Sequence, residues 1–305
     1  MKRKKERGIR DRGMVVQSYL MLLPQIIGFC VLIAYPLFWA VRLAWYSYDG
    51  NSTHTIFVGW QNFITLFTRD TGYWEALANT FLFAILKIPL ELPLALIIAV
   101  VLNSKLRGKN AFRMLYFLPT IISVAIVGII FSNIFDYFGV INGILKEFGI
   151  IKENIDWFSQ KHTAMVVLVL ASIWQTLGIN MMYFLAALQN VPADVYECAK
   201  IDGANGVTVF FRITIPLIMP VAQTILLLSM VGTLQTNDLI LVLTNGAPGG
   251  QTFTVMPYLT SNFVPGFADV GVNIGYGCAL AVVTAVIFAF VSLIYMRLSN
   301  KISQY

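Results

Sequence analysis

Charge is missing from this chain over stretches longer than a soluble fold tolerates. No Asp, Glu, Lys or Arg falls between Arg12 and Arg42, Arg113 and Asp136, Lys161 and Asp194, Arg212 and Asp238, or Asp269 and Arg297. Each gap exceeds the roughly 20 residues that a helix needs to cross the hydrocarbon core. A sixth stretch, 76–102, is apolar apart from Lys87 and Glu91. The runs are continuous and lack the alternation of a barrel strand, so they predict helices. Six transmembrane helices are expected, at about 18–41, 76–102, 113–135, 163–188, 214–237 and 273–296. The fold class is an all-α membrane protein. Composition agrees: 12% of residues are charged, about half the share of an ordinary soluble domain, and the mean hydropathy is +0.74. A secreted globule, a disordered tail and a cytosolic enzyme are set aside.

Basic residues give the orientation. Lys2, Arg3, Lys4, Lys5, Arg7, Arg10 and Arg12 precede the first span, and the positive-inside rule places that segment in the cytoplasm. Six spans then put Lys105, Arg107, Lys109, Arg113, Lys200, Arg212, Arg297 and Lys301 on the same side. Only Arg42, Arg69, Lys146, Lys152 and Lys161 fall outside, and Lys87 lies in the membrane. Both termini are expected inside, with a basic tail over 1–17, a transmembrane domain over 18–298 and a short tail over 299–305. The net charge of +6 is then topology, and no nucleic-acid role is needed. The first apolar run is too long for a cleaved signal peptide and lacks a small-residue cleavage site.

Chemistry-bearing clusters are few. Cys30, Cys198 and Cys278 are too scattered for a disulfide framework or a zinc site. His54 and His162 have no companions at ligand spacing, so neither a metal site nor a catalytic residue is read. The P-loop pattern G-x-x-x-x-G-K-[ST] does not occur, which excludes ATP binding by that route. Asn51-Ser52-Thr53 fits a glycosylation acceptor, and Gly271 and Gly275 form a small-residue pair suited to close packing.

The cytoplasmic loop 189–212 is the most informative segment. Pro192 suits a helix start, Asp194 complements the positive end of the helix dipole, and Gly203 suits a helix end. The helix between them carries small or apolar positions at Val195, Cys198, Ala199 and Ile201, with charges at Glu197, Lys200 and Asp202. A helix lying at the lipid interface would be basic with bulky apolar residues. This one is acidic and small, which favours docking into a protein groove.

Glu197-Cys198-Ala199, then Gly203 after three residues, then Ile213-Thr214-Ile215-Pro216 after nine more, resembles the EAA signature of binding-protein-dependent ABC importer permeases. Cys198 stands for the first Ala and Ile215 for Leu. The flanking Ala187–Pro192 and Asp202-Gly203-Ala204, together with Asn103–Arg113, Asp238-Leu239-Ile240 and Thr244–Pro248, resemble the maltose-type carbohydrate uptake branch. The resemblance runs from about Tyr19 to the end. It implies the type I ABC importer permease fold in a bacterial or archaeal inner membrane. It also implies a second homologous permease subunit, two copies of a cytoplasmic ATPase that bind ATP and Mg, and an extracellular solute-binding protein. Glu197, Cys198, Ala199, Asp202 and Gly203 would belong to the helix that couples to the ATPase. This chain itself would bind no cofactor and would be no enzyme.

Polar side chains within spans are costly, so their spacing matters. Ser172, Thr176, Asn180 and Tyr183 share one face of the fourth span, and Ser229, Thr233 and Asn237 recur at fours in the fifth. Hydroxyls, amides and aromatic faces suit a sugar, and the same residues could simply join helices. Since the resemblance implies a sugar site in the same two spans, the stripes are expected to line a transport path. Trp174 and Gln175 lie off the main stripe. Lys87 and Glu91, four apart, share a face and can neutralise each other. Their structural reading is an ion pair packed against a partner subunit; an ion relay or recognition of an acidic sugar are the functional ones. Pro89 and Pro93 are expected to kink that helix. Two other functions stay open: the same architecture carrying a polyol or glycerol phosphate, and an ion-coupled secondary transporter built on Lys87 and Glu91. Phosphate would call for unpaired cations in the spans. A secondary transporter would call for an inverted repeat, which the sequence does not display.

Overall fold

The computed structural model describes residues 2–51, 55–104, 106–268 and 272–302. Ser52 and Thr53 of the glycosylation tripeptide, and Gly271 of the small-residue pair, lie outside the described residues. The described chain is mostly helical. Five helices are long and apolar enough to span a membrane: Met14–Leu43, Thr71–Asn103, Lys161–Gln189, Gly206–Leu234 and Ile274–Ser299.

The sixth expected span, 113–135, is not one helix. It is broken into α5 (Lys109–Ile121) and α6 (Val124–Ile134), bent by 97°. Ile122 (ψ 137°) and Ser123 (ψ 137°) are extended and form the break. Pro119 prepares it by removing one backbone donor from the last turn of α5. The hydroxyl of Thr120 donates to the Gln175 carbonyl at 2.9 Å, so the end of α5 is held by another helix.

The chain divides into two compact units, Met1–Thr68 with Phe263–Val283, and Arg69–Asn262 with Thr284–Tyr305. In the first, α1 (Lys2–Phe29) continues through a π-helical turn, Cys30–Ala34, into α2 (Tyr35–Leu43). No described side chain of Met14–Leu43 is buried. Two short antiparallel strands follow, β1 (Tyr46–Ser47) and β2 (Ile56–Phe57), then α3 (Gln61–Thr68). Buried Asn62 secures the turn, donating to the carbonyls of Ala44 at 2.8 Å and Tyr46 at 3.1 Å. Gly275 is required here: a Cβ would stand 2.0 Å from the Tyr46 carbonyl oxygen.

In the second unit, α4 (Thr71–Asn103) stays one continuous helix through Pro89 and Pro93. The short α7 (Val140–Glu147) precedes α8 (Lys161–Gln189), which packs on α4, α5 and α6. Gly178 of α8 admits α5: a Cβ there would meet the Tyr116 carbonyl oxygen at 2.2 Å. Next come α9 (Ala193–Ile201), α10 (Gly206–Val209) and a π turn (Phe210–Thr214), leading into α11 (Ile215–Leu234). The segment after α11 contains α12 (Asp238–Leu243) and α13 (Val255–Phe263). The final helix, α14, runs from Ile274 to Ile302. Two apolar clusters form the core. One joins Phe83, Val127, Phe131, Leu168 and Ile240; the other joins Leu92, Ala95, Met181, Phe184, Leu185 and Ile225. Near the start of α4, Asp70 accepts hydrogen bonds from the Tyr73 amide and the Tyr258 hydroxyl, each at 2.9 Å. Burial first, then the bond to Asp70 and its charge, push the Tyr258 phenol well above its usual range.

Candidate functional site: a polar cavity and an exposed helix

Between the two apolar clusters, α4 and α8 each carry polar residues in a layer that the sequence marks only faintly. On α4 these are Lys87 and Glu91, lying between Phe83 of one cluster and Leu92 of the other. On α8 they are Ser172, Thr176 and Asn180, in the stretch leading to Met181 of the second cluster. α11 adds Ser229 and Thr233. Three helices therefore meet at one height with hydrogen-bonding groups facing inward.

The pairing is specific. Lys87 Nζ lies 3.4 Å from Glu91 Oε2, with 5% and 0% of the two side chains exposed. The ammonium also donates to Thr233 Oγ1 at 3.2 Å. Glu91 Oε1 accepts from Thr176 Oγ1 at 2.6 Å and Asn180 Nδ2 at 2.7 Å. Thr176 Oγ1 also sits 2.8 Å from the Ser172 carbonyl, and its single proton favours the charged acceptor. The pair is thus buried against this chain's own α8 and α11, which corrects the expectation of packing against a partner subunit. The reason lies in its neighbours on those helices: Thr176 and Asn180 donate to Glu91, and Thr233 accepts from Lys87.

A cavity of about 460 Å³ opens on this layer. It is lined by Ser172, Thr176, Asn180, Tyr183, Ser229, Thr233 and Asn237, the two stripes together, and by Lys87. Its volume falls in the range of small-molecule sites, about 300–1,000 Å³. Gln175 lines it too, whereas Trp174 turns to Phe131, with ring centroids 5.7 Å apart. Asn237 reaches the cavity from outside the helix that was expected to carry it. α11 ends at Leu234, and Asn237 precedes α12, donating to Asp238 Oδ1 at 2.9 Å and accepting from Thr260 at 3.1 Å. Sequence reasoning missed Thr236 and Asp238, which also line the cavity. The polar run Thr236-Asn237-Asp238 at the end of an apolar span was the signal that could have found them.

The loop 189–212 folds as its residues direct. Pro192 caps α9, with Asp194 in the first turn and Lys200 in the last. Gly203 takes φ +71°, and the amides of Gly203 and Ala204 return to the carbonyls of Lys200 at 3.2 Å and Ala199 at 3.0 Å. Ala199 is buried, while Glu197, Cys198, Asp202 and Gly203 are exposed. Ile201 is 84% exposed, far from the norm for its type. On the other side, the Thr214 hydroxyl lies 3.4 Å from that of Tyr196, tying α9 to the foot of α11.

The family described as "binding-protein-dependent transport system inner membrane component" matches residues 91–304. The lactose transport system permease protein LacF of Rhizobium radiobacter is 36% identical over 83% of this chain and 86% of its own length. The arabinooligosaccharides transport system permease protein AraP of Bacillus subtilis is 34% identical over 93% of this chain and 88% of its own. In three dimensions, a chain from a bacterial ABC transporter involved in the import of the acidic polysaccharide alginate superposes with a TM-score of 0.82. That match covers 97% of this chain and 99% of the other at 22% identity, a likeness of fold.

Proposed function

Because the chain belongs to the family of binding-protein-dependent transport system inner membrane components, and is a multi-pass ABC transporter permease rather than an enzyme, we propose that it conducts a sugar, in particular an oligosaccharide. The observation that carries this reading is the convergence of nine hydroxyl, amide and phenol side chains on one cavity. Sugars present many hydroxyls and apolar ring faces, and such a lining matches both. The named relatives support the substrate class, since their own names refer to lactose and arabinooligosaccharides.

The coupling element in this proposal is α9. ATP and Mg bind a separate ATPase, two copies of which dock below the membrane, and one of them receives Glu197, Cys198, Asp202 and the exposed Ile201. Ala199 and Gly203 keep the helix packed and ended in place. A second homologous permease completes the path as a heterodimer, and an extracellular solute-binding protein delivers the sugar. The setting is a bacterial or archaeal inner membrane with both chain termini in the cytoplasm. Tagged chain purified in mild detergent from its native membrane tests the assembly by mass spectrometry of the co-purifying proteins. The expected result is a second permease, a P-loop ATPase and ATP-dependent uptake of a sugar after reconstitution. Chain recovered alone, with uptake driven by an ion gradient, would overturn the proposal.

A further inference from the structure

We infer that Lys87 is a direct ligand of the transported sugar and that Glu91 sets the selectivity of the cavity, excluding acidic and phosphorylated sugars in favour of neutral ones. The inference rests on the reading that the cavity carries a sugar, and it names the substrate class.

Lys87 is only 4% exposed, yet it lines the cavity. An ammonium has three protons to donate. Glu91 Oε2 and Thr233 Oγ1 account for two directions, which leaves a donor for a ligand. One turn away on α11, Ser229 Oγ is buried, lines the same cavity and has no hydrogen-bond partner among the described residues. A buried hydroxyl without a partner is rare enough to call for one. Lys87 and Ser229 flank Thr233, so the three form a compact subsite for the oxygens of one sugar ring.

The charge count decides which ring. An isolated ammonium in a low-dielectric cavity would draw carboxylates and phosphates strongly. Glu91 prevents this, because Lys87 shares its charge with a carboxylate 3.4 Å away. Thr176 and Asn180 donate to the other oxygen of Glu91 and fix its carboxylate beside the ammonium. The carboxylate in the lining itself is that of Asp238, which is exposed. Lys87, Glu91 and Asp238 together carry an excess of negative charge, and an acidic substrate meets no uncompensated cation. The donors of Lys87 then serve hydroxyl oxygens.

The test uses the complete co-purified transporter in lipid nanodiscs and saturation-transfer NMR, which reads weak binding directly. The neutral probes are lactose, maltose and arabinobiose, and the acidic probe is digalacturonate. Wild type is expected to bind at least one neutral disaccharide and not the acid. Glu91→Gln keeps the shape while leaving Lys87 uncompensated, so digalacturonate binding should rise by roughly tenfold or more. Lys87→Met/Glu91→Leu removes both charges. It should lose roughly tenfold in neutral-sugar affinity and gain nothing with the acid. The inference is overturned if Glu91→Gln binds the acid no better than wild type, or if the double variant binds the neutral sugar as wild type does. Should Glu91→Gln fail to assemble, the double variant alone decides, since it leaves no buried charge. An intact complex that binds neither kind of sugar would instead overturn the sugar reading itself.

Discussion

Glu91 is the residue on which most of the buried layer depends. It is fully buried and holds Lys87, Thr176 and Asn180 together from three directions. Removing one partner of a buried ion pair leaves the other uncompensated, a loss of about 3–5 kcal/mol, whereas replacing both by apolar groups is often neutral. Glu91→Leu should therefore lower the thermal unfolding midpoint of the detergent-solubilised protein markedly. Lys87→Met/Glu91→Leu should recover most of that loss. A single variant as stable as wild type would mean that Lys87 escapes to water when its partner is gone. The spacing of Lys87 and Glu91 was legible as a pair in the sequence. Their neighbours were not, because Thr233 and Asn180 stand 146 and 89 positions away and become adjacent only when α4, α8 and α11 pack.

At the scale of elements, α9 was the easiest to read and the break between α5 and α6 the hardest. α9 is written in local chemistry: Pro192 at its start, Asp194 and Lys200 at the dipole ends, Gly203 at its finish. Gly203→Pro would force φ negative and delete the amide that bonds the Lys200 carbonyl. Glu197→Lys would reverse the charge of the exposed face. Both variants should insert into the membrane normally, lose ATPase co-purification and abolish uptake; wild-type uptake in either would count against the coupling role. By contrast, Met114–Phe135 reads as one apolar run. Its division depends on Thr120 reaching α8, on Gly178 admitting Tyr116, and on Gly128 of α6 lying against Val242 of α12. Apolar content says that a segment belongs in the membrane, and it is blind to where the helix turns.

The Tyr258–Asp70 link between α13 and the start of α4 makes a prediction about pH. With its folded pKa raised above 10.0, Tyr258 must stay protonated in the native state while the unfolded chain ionises. Its contribution is fully present below pH 10.0 and declines as pH rises beyond that value. The stability difference between wild type and Tyr258→Phe should be flat below that point and shrink above it, as followed by thermal unfolding in a pH series. A difference that stays constant into strong alkali would dissociate Tyr258 from Asp70.

For the whole molecule, orientation is the property that charge bias alone assigns. Cys198 is exposed on α9, outside the spans, whereas Cys30 and Cys278 lie within Met14–Leu43 and Ile274–Ser299. A membrane-impermeant maleimide should label Cys198 in inside-out vesicles and leave it untouched in right-side-out ones. The reverse pattern would invert the topology. Much of the molecule was thus legible: five spans within a few residues and two polar stripes that share a cavity. What escaped was set by tertiary contact, as with Asn237, which leaves its helix at Leu234 and still reaches the cavity.

The compensated pair on α4 has an electrical meaning as well. A full charge carried across the membrane field does work of about 2.3 kcal/mol per 100 mV. Lys87 and Glu91 sit on one helix, one turn apart and opposite in sign, so any displacement of α4 moves both together and the field does almost no net work on them. Conformational cycling should then be indifferent to voltage. In proteoliposomes clamped by potassium gradients and valinomycin, uptake of a neutral sugar should hold the same rate from zero to strongly negative potential. Lys87→Met, which strands the carboxylate, should make that rate voltage-dependent.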